Sequence, residues 1–420
     1  MSTLEELKQV VEKPEDMTPL LTCAWEYMPE GMHYCVSTAP IIPAIVARAK
    51  SIAAETPDFI RSDQGQVVGI MPEKEIYYGP SAGIDELRQL IARFWTLAYH
   101  LKDKELGKHN VAIVSGATEG LAIVLRMFAY QQNVGVMHLF WSNYKGIILN
   151  SGGNPIVVSL FDKNYNLDLE KTEQTIRSQK VTSLLINFPT NPSGDVLTDD
   201  ELVSLAELAR KLNLIIIADE VYNYLRYKGQ PQSMLAYAPE RTVVVSSASK
   251  EYLMPGARVG YVLADNKTFI NSWILRLIRA SSSSANVLGQ RLLIDILKDE
   301  VKDLEENRPP RIISEIKKEL GIRRDLMISI LKNRGLTLAG RDQDYPSGAI
   351  SVLAKLPEDI KIDDKIFVEK ALELHKFSAI PGSVFGAPGC LRFGYAGMTE
   401  ENIKKFGVKL GDVLDHVRDR

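Results

Sequence analysis

The chain has 420 residues, with 50 Lys and Arg against 53 Asp and Glu, for a net charge of −3. Its 45% hydrophobic content is too high for a mainly disordered chain, and it lacks the run of about eighteen apolar residues that a membrane span needs. The near-neutral balance offers no basic surface for nucleic acid. The length suggests two or three domains. The cysteines are Cys23, Cys35 and Cys390, an odd number without metal spacing. They fit free thiols in a reducing compartment, and a cytoplasmic location is expected. The histidines form no HExxH pattern, so no metal is expected. The start, MSTLEELKQVVEKPEDM, is acidic and lacks the basic and apolar regions of a signal peptide.

Taken in chain order, the first elements are a short helix and then a loop with Pro19, Pro29 and Gly31. Residues from Pro40 to Glu55 carry helical periodicity through Ile42, Ile45, Val46, Ala49 and Ile52. A further helix is predicted at Ile84–Leu97. Val111–Val114 reads as a β-branched strand, followed by SGATEG and a helix from Thr118 to Tyr130. Gly135–Phe140, Ile156–Ser159 and Ser183–Asn187 are further strands. Thr198–Leu212 reads as a helix, with Asp199 and Asp200 in its first turn and Arg210 and Lys211 in its last. Leu214–Ala218 and Thr242–Ser246 are continuous apolar strands. Such strands, alternating with helices, predict a mostly parallel sheet covered on both faces.

After Ser284 the pattern changes. A long helix, broken near Pro309–Pro310, runs to about Asn333. Strands follow near Ala349–Leu353, Ser378–Ile380 and Leu391–Tyr395, and a last helix at Glu400–Val417. The expected fold class is α/β: a large domain over 60–308 and a smaller α+β domain over 309–420. Residues 1–59 are expected to join the smaller one.

Four clusters lie where strands run out, the end of a parallel strand at which ligands bind. Lys250, in Ser247–Lys250 after TVVVS, can be partly desolvated there. That lowers an amine's pKa and lets it form a Schiff base with a carbonyl. Asp219, after IIIA, is an acid at the end of a buried strand, costly unless paired. Asn191 stands between Pro189 and Pro192 in FPTNPSG, a rigid turn. Ser115-Gly116-Ala117-Thr118 opens a helix with small residues, which lets backbone N–H groups approach an anion. Each cluster alone also reads more plainly: a loop lysine, an N-cap, a tight loop and a helix cap.

Their order and spacing are more specific. With YGPSAGIDELR, SGATEG, FPTNPSG, ADEVY, SSASKEYLMPGARVGY, IPGSVFG and LRFGYAG, the chain resembles a class I/II aminotransferase. That family lies in the aspartate-aminotransferase-like, pyridoxal 5′-phosphate (PLP) dependent superfamily. The resemblance implies fold type I, a seven-stranded mostly parallel sheet between helices with a smaller domain. It also implies PLP as cofactor. Lys250 then resembles the lysine that carries PLP and shuttles the proton at the substrate α-carbon. Asp219 resembles the acid that keeps the pyridine nitrogen protonated. Tyr222 and Asn191 match the donors to the ring's 3-hydroxyl oxygen. Arg258, Ser247, Thr118 and the backbone of Gly116 and Ala117 match the phosphate ligands. Trp141 resembles the aromatic that stacks on the ring, and Tyr78 the tyrosine that crosses to the partner subunit of a homodimer. Arg392 resembles the arginine that grips the substrate α-carboxylate. Gly65 resembles the glycine beside the bound substrate, with Gly65-Gln66-Val67 in place of the usual Gly-Glu-Pro. Two other departures stand out: FWSNY lacks a proline before the aromatic, and SGAISVLA lacks an aromatic after the glycine and alanine.

The function implied is transfer of an amino group between an L-amino acid and a 2-oxo acid by a ping-pong route. A PLP-dependent lyase, decarboxylase or synthase would use the same lysine, acid and tyrosine. A non-enzymatic regulator would need a DNA-binding domain, and the acidic N-terminal segment would be repelled by DNA.

Overall fold

The structure, a computed structural model, describes residues 17–29, 32–33, 54–55, 77–99, 101, 106–163 and 165–418. The predicted helix at 40–55 falls almost wholly outside these residues. The apolar strands are β1 (Val111–Val114), β2 (Asn133–His138), β3 (Asn154–Ser159), β4 (Val181–Asn187), β5 (Ile215–Asp219), β6 (Thr242–Ser247) and β7 (Gly260–Leu263). They form one sheet in the order β1-β7-β6-β5-β4-β2-β3. β7 runs antiparallel to both its neighbours, and every other pair is parallel. β7 is absent from the sequence reading. It has four residues, opens on Gly260 and follows Pro255 and Gly256, so it carries too little periodicity to separate it from a loop.

Among the described residues, the helices of seven residues or more are α1 (Pro19–Tyr27), α2 (Asp85–Ala98), α3 (Ala117–Phe128), α4 (Asn143–Asn150), α5 (Leu169–Ser178), α6 (Asp199–Lys211), α7 (Leu275–Ser281), α8 (Val287–Glu305), α9 (Arg311–Asn333), α10 (Asp364–Glu373) and α11 (Glu400–Arg418). β5 shows why its sequence is continuously apolar. Ile216 and Ala218 pack on one side with α2, α6 and α8, while Ile215 and Ile217 pack on the other with α3 and α4. Both faces are covered, so neither set of alternating positions can be polar. Thr198 caps α6 and exchanges hydrogen bonds with Glu201, a capping box that fixes where the helix starts.

Beyond α8 the chain breaks at Pro309–Pro310 and restarts as α9. Glu300 of α8 spans the break and accepts from the Ile312 N–H at 2.7 Å. A second sheet follows, built of β8 (Thr337–Leu338), β9 (Ser351–Lys355), β10 (Ile380–Pro381) and β11 (Cys390–Gly394) in the order β10-β11-β9-β8, all antiparallel. It packs with α9, α10 and α11 around Leu320, Met327, Phe367, Phe393 and Leu410. Of the segment 1–59, the described helix α1 packs on the large sheet's side. Leu20, Leu21 and Ala24 join the α3 core there with Phe269 and Trp273.

Register sets the site. Asn187 pairs with Asp219, and Asp219 with Val245, so β4, β5 and β6 end nearly level. The start of β7 presses against the start of α3. A Cβ on Gly260 would lie 2.7 Å from the Ala117 nitrogen, so no side chain fits there. If this backbone binds phosphate, as the resemblance implies, Gly260→Ala should displace Gly116–Ala117 and weaken that binding at least about tenfold, roughly 1.4 kcal/mol. Calorimetric titration with inorganic phosphate checks this, and an unchanged affinity would count against the role of the close approach.

Candidate active site

A cavity of about 390 Å³ opens where β4, β5 and β6 end, lined by Asn187, Asp219 and Ser247, the last residue of each strand. Its opposite wall comes from the small sheet, through Ser351, Arg392 and Gly394.

Asp219 is the buried acid of this cavity. Tyr144, on α4, donates to its Oδ2 at 2.6 Å, and the Val221 N–H approaches its Oδ1 at 3.4 Å. Burial pushes the carboxyl up to about 6, while the Tyr144 hydroxyl, the Val221 N–H and Lys250 pull it back. Asn187 fixes the backbone around it. Its Nδ2 donates to the Asp219 carbonyl at 2.8 Å, and its Oδ1 accepts from the Asn191 N–H at 2.9 Å. Asn191 in turn accepts from Arg392 Nη1 at 3.0 Å and hydrogen-bonds Tyr222. Burial, with Asp219 adding to it, raises the Tyr222 hydroxyl above its ordinary value.

Lys250 lies one residue before the end of the short turn Ala248–Glu251 that follows β6. Burial lowers its amine, the Arg392 guanidinium lowers it further, and Asp219 opposes both. An amine so placed is more often unprotonated, hence more nucleophilic, than a surface lysine. Arg392 itself is lowered by burial. Its guanidinium lies 4.9 Å from the Phe385 ring centre, and its Nε is buried without a partner.

At the other end of the cavity, Ala117 and Thr118 form the first turn of α3, whose cap Gly116 has φ 88° and makes no side-chain cap bond. The helix therefore presents unsatisfied N–H groups. A Cβ on Gly116 would collide with the Arg258 guanidinium. Arg258 is held by the Ser115 carbonyl at 2.9 Å and the Pro255 carbonyl at 3.0 Å, and Ser247, whose Oγ accepts from the Ser249 N–H at 3.3 Å, lines the same cavity. Trp141 lines the cavity, edge-on to Tyr144 with ring centres 5.4 Å apart.

The structure thus gathers the residues singled out in the sequence, with two exceptions. Tyr78 is 74% exposed and does not line the cavity. Gly65 lies outside the described residues. The sequence reading missed Tyr144, Asn187, Ile350 and Ser351, all of which line the cavity. Tyr144 follows Trp141 by three positions, a spacing that brings both to one side of a helical turn.

This donor set fits PLP. An uncapped helix start, a hydroxyl and an arginine suit a phosphate. A buried carboxylate suits a ring cation, and a desolvated amine suits an aldehyde. A buried, unpartnered Arg392 Nε suits an incoming carboxylate.

Behind the cavity lie further buried acids. Glu220 accepts from Asn223, Ser233 and the Met234 N–H, and burial pushes it up to about 7. Glu251 accepts from the Tyr224 N–H at 2.7 Å, and burial with Glu220 and Glu300 nearby pushes it up to about 8. A carboxyl raised on folding stabilises the fold below its ordinary value and loses that contribution as pH climbs through the raised one. The protein's melting temperature should accordingly fall between about pH 5 and pH 8. Glu251→Gln, which keeps an acceptor for Tyr224 and cannot ionise, should flatten that fall, as measured by thermal scans across pH. A variant slope equal to the parent's would refute this source of the pH dependence.

Comparison with known proteins agrees with the geometry. The family model described as aminotransferase class I and II matches residues 71–410. A probable aspartate/prephenate aminotransferase of Aquifex aeolicus is 30% identical over 365 residues, covering 83% of this chain and 85% of its own. The aspartate aminotransferase structure from Thermus thermophilus with maleate superposes with a TM-score of 0.72 at 24% identity, over 90% of this chain and 97% of that one. An aromatic aminotransferase structure from Pyrococcus horikoshii gives 0.70 at 25% identity, over 88% and 92%. Among the described residues no helix is long and apolar enough to cross a membrane.

Proposed function

The chain belongs to the aminotransferase class I and II family and is an enzyme that transfers amino groups; from that premise we propose that it works with PLP held in the cavity described above. One observation carries the proposal. A buried acid, Asp219, and a partly desolvated amine, Lys250, share a cavity with an anion cradle at one end and a half-buried arginine, Arg392.

When bound, PLP supplies an electron-accepting ring that stabilises negative charge at the substrate α-carbon. The chain's own residues do the rest. Gly116, Ala117, Thr118, Ser247 and Arg258 would hold the phosphate. Asp219 would hold a proton at the ring nitrogen, the charge pairing that its burial calls for. The Tyr144 hydroxyl holds the carboxylate through Oδ2. Tyr222 and Asn191 would hold the ring's hydroxyl oxygen, and Trp141 would cover a ring face. Arg392 binds and orients the substrate α-carboxylate, which brings the α-carbon near Lys250. Lys250 would hold the cofactor through its amine and, once freed, move the proton to and from the substrate α-carbon. With the cofactor as interim carrier of the amino group and water supplying the oxygen, the donor would leave as a 2-oxo acid, and a second 2-oxo acid would take the amino group and release that water.

Borohydride reduction of the purified protein, followed by peptide mass mapping, tests the assignment. The cofactor mass is expected on the peptide holding Lys250, with parallel double-reciprocal plots for donor and acceptor. In Lys250→Ala the adduct and turnover should both be lost. An adduct on a different lysine would reassign the site.

The chain is also proposed to act as a homodimer. Tyr77, Tyr78, Leu253, Leu288 and Leu292 are large apolar side chains at 42–74% exposure in segments around the cofactor end of the cavity. Gly79 sits against Val287, which joins the Tyr78 segment to the start of α8. Light scattering after size exclusion should give about twice the 46.9 kDa chain mass. A fully active species at the single-chain mass would refute the dimer.

A further inference from the structure

Two contacts hold Arg392. Its Nη1 donates to Asn191 Oδ1 at 3.0 Å, and its guanidinium lies over the Phe385 ring, with the central carbon 4.9 Å from the ring centre. A ring face attracts a cation through its quadrupole, and the attraction grows as the pair is withdrawn from water. Here Phe385 is buried and Arg392 half-buried.

The two contacts differ in what they consume. Asn191 takes one of the five N–H donors of the guanidinium. The ring takes a face and no donor, and it leaves the charge in place. An acidic partner would neutralise that charge and occupy the edge with which the planar fork meets a carboxylate. The ring therefore sets the plane of the fork without competing with a ligand for it.

Phe385 is itself anchored from both sheets. β10 runs straight into the turn Gly382–Phe385, and Ile380 of β10 pairs with Arg392, so the ring follows from the strand beside the arginine. The turn folds tightly onto the start of β11. A Cβ on Gly382 would collide with the Ala387 and Cys390 carbonyl oxygens. Asp364, fully buried in the first turn of α10, accepts from the Ser383 N–H at 2.7 Å. A buried carboxylate is costly, and this one holds the turn that carries the ring. Gly386, with φ 88°, ends the turn, and its carbonyl accepts from His138 Nε2 at 3.0 Å. His138 closes β2, so the turn is tied to the large sheet as well as to α10.

We infer that Phe385 is a positioning residue for substrate binding: its ring, set by Asp364 and His138, holds the Arg392 guanidinium in the orientation that receives the α-carboxylate. The inference rests on the role proposed for Arg392. Because amino donor and 2-oxo acceptor share that carboxylate, the ring serves both halves of the reaction alike.

The test titrates the PLP-loaded enzyme by calorimetry with two unreactive acids of unlike body, 3-phenylpropionate and maleate. Phe385→Leu, which keeps an apolar side chain and removes the ring face, should weaken both by at least about threefold and by the same factor. In turnover, with the donor and 2-oxo acid that react fastest in a panel of each, KM for both should rise together while kcat changes less than about twofold. Arg392→Gln separates positioning from a merely structural loss, because it leaves the ring no charge to hold. On that background Phe385→Leu should lower kcat/KM by less than a further factor of about two. Unchanged affinity for both acids in Phe385→Leu, a loss confined to one of them, or an equal effect on the Arg392→Gln background would each overturn the role of the ring. Affinities that survive Arg392→Gln alone would instead remove the carboxylate role of Arg392, and the positioning with it.

Discussion

The site is organised around one costly feature, a carboxylate buried at the end of the central strand. Asp219 closes β5, between β4 and β6, where the sheet is covered on both faces. Ionised and alone, such a group would be driven to take up a proton, and its upward shift shows that pressure. The surroundings hold it partway, with one hydroxyl and one backbone N–H on its oxygens and Lys250 nearby. A cationic ring nitrogen would complete the balance. The acid is therefore poised for a partner that the polypeptide does not supply, which is why a cofactor reading explains its position better than a structural one.

The distribution of positive charge follows from the same economy. The chain is almost neutral overall. On the proposed reading its cavity would bind a phosphate and a carboxylate with single arginines on separate elements rather than with a basic surface. Arg258 stands at the start of β7 in a left-handed conformation that turns its guanidinium back over Gly116. Arg392 comes from the other sheet and bonds Asn191, 201 positions away in sequence. That bond links the two sheets across the cavity, so carboxylate binding at Arg392 is coupled to the loop that also contacts Tyr222.

Much of this is legible in the sequence, and the rest is hidden for physical reasons. The continuous apolar runs of β4, β5 and β6 announce strands buried on both faces, and the residues that follow them carry the chemistry. What periodicity cannot give is register: nothing in LLIN and IIIAD says that Asn187 and Asp219 pair. Nor could four residues beginning with glycine show that β7 runs against its neighbours. Tyr144 was overlooked because a tyrosine in a helix has core packing as its ordinary role, and only the fold reveals its 2.6 Å bond to Asp219. Residues 1–59 read as an appendage of the smaller domain, whereas α1 offers Leu20, Leu21 and Ala24 to the α3 side of the large sheet.

The residues behind the chemistry explain why it is held so precisely. Asp219 and Lys250 are each followed by a glutamate that turns the opposite way, into the core. Glu220 accepts from Asn223, Ser233 and Met234, which pins the turn carrying Asp219 and Tyr222. Glu251 accepts from the Tyr224 N–H, which ties the Lys250 turn directly to that same turn. Acid, tyrosine and lysine are thus fixed relative to one another from behind, leaving their front faces free for ligand. The cost is two buried carboxyls that are easier to protonate than to ionise, so the fold is weakened where alkaline conditions would favour an unprotonated lysine. Stability and reactivity pull in opposite directions with pH at this site, and the rear glutamates are where the two are coupled.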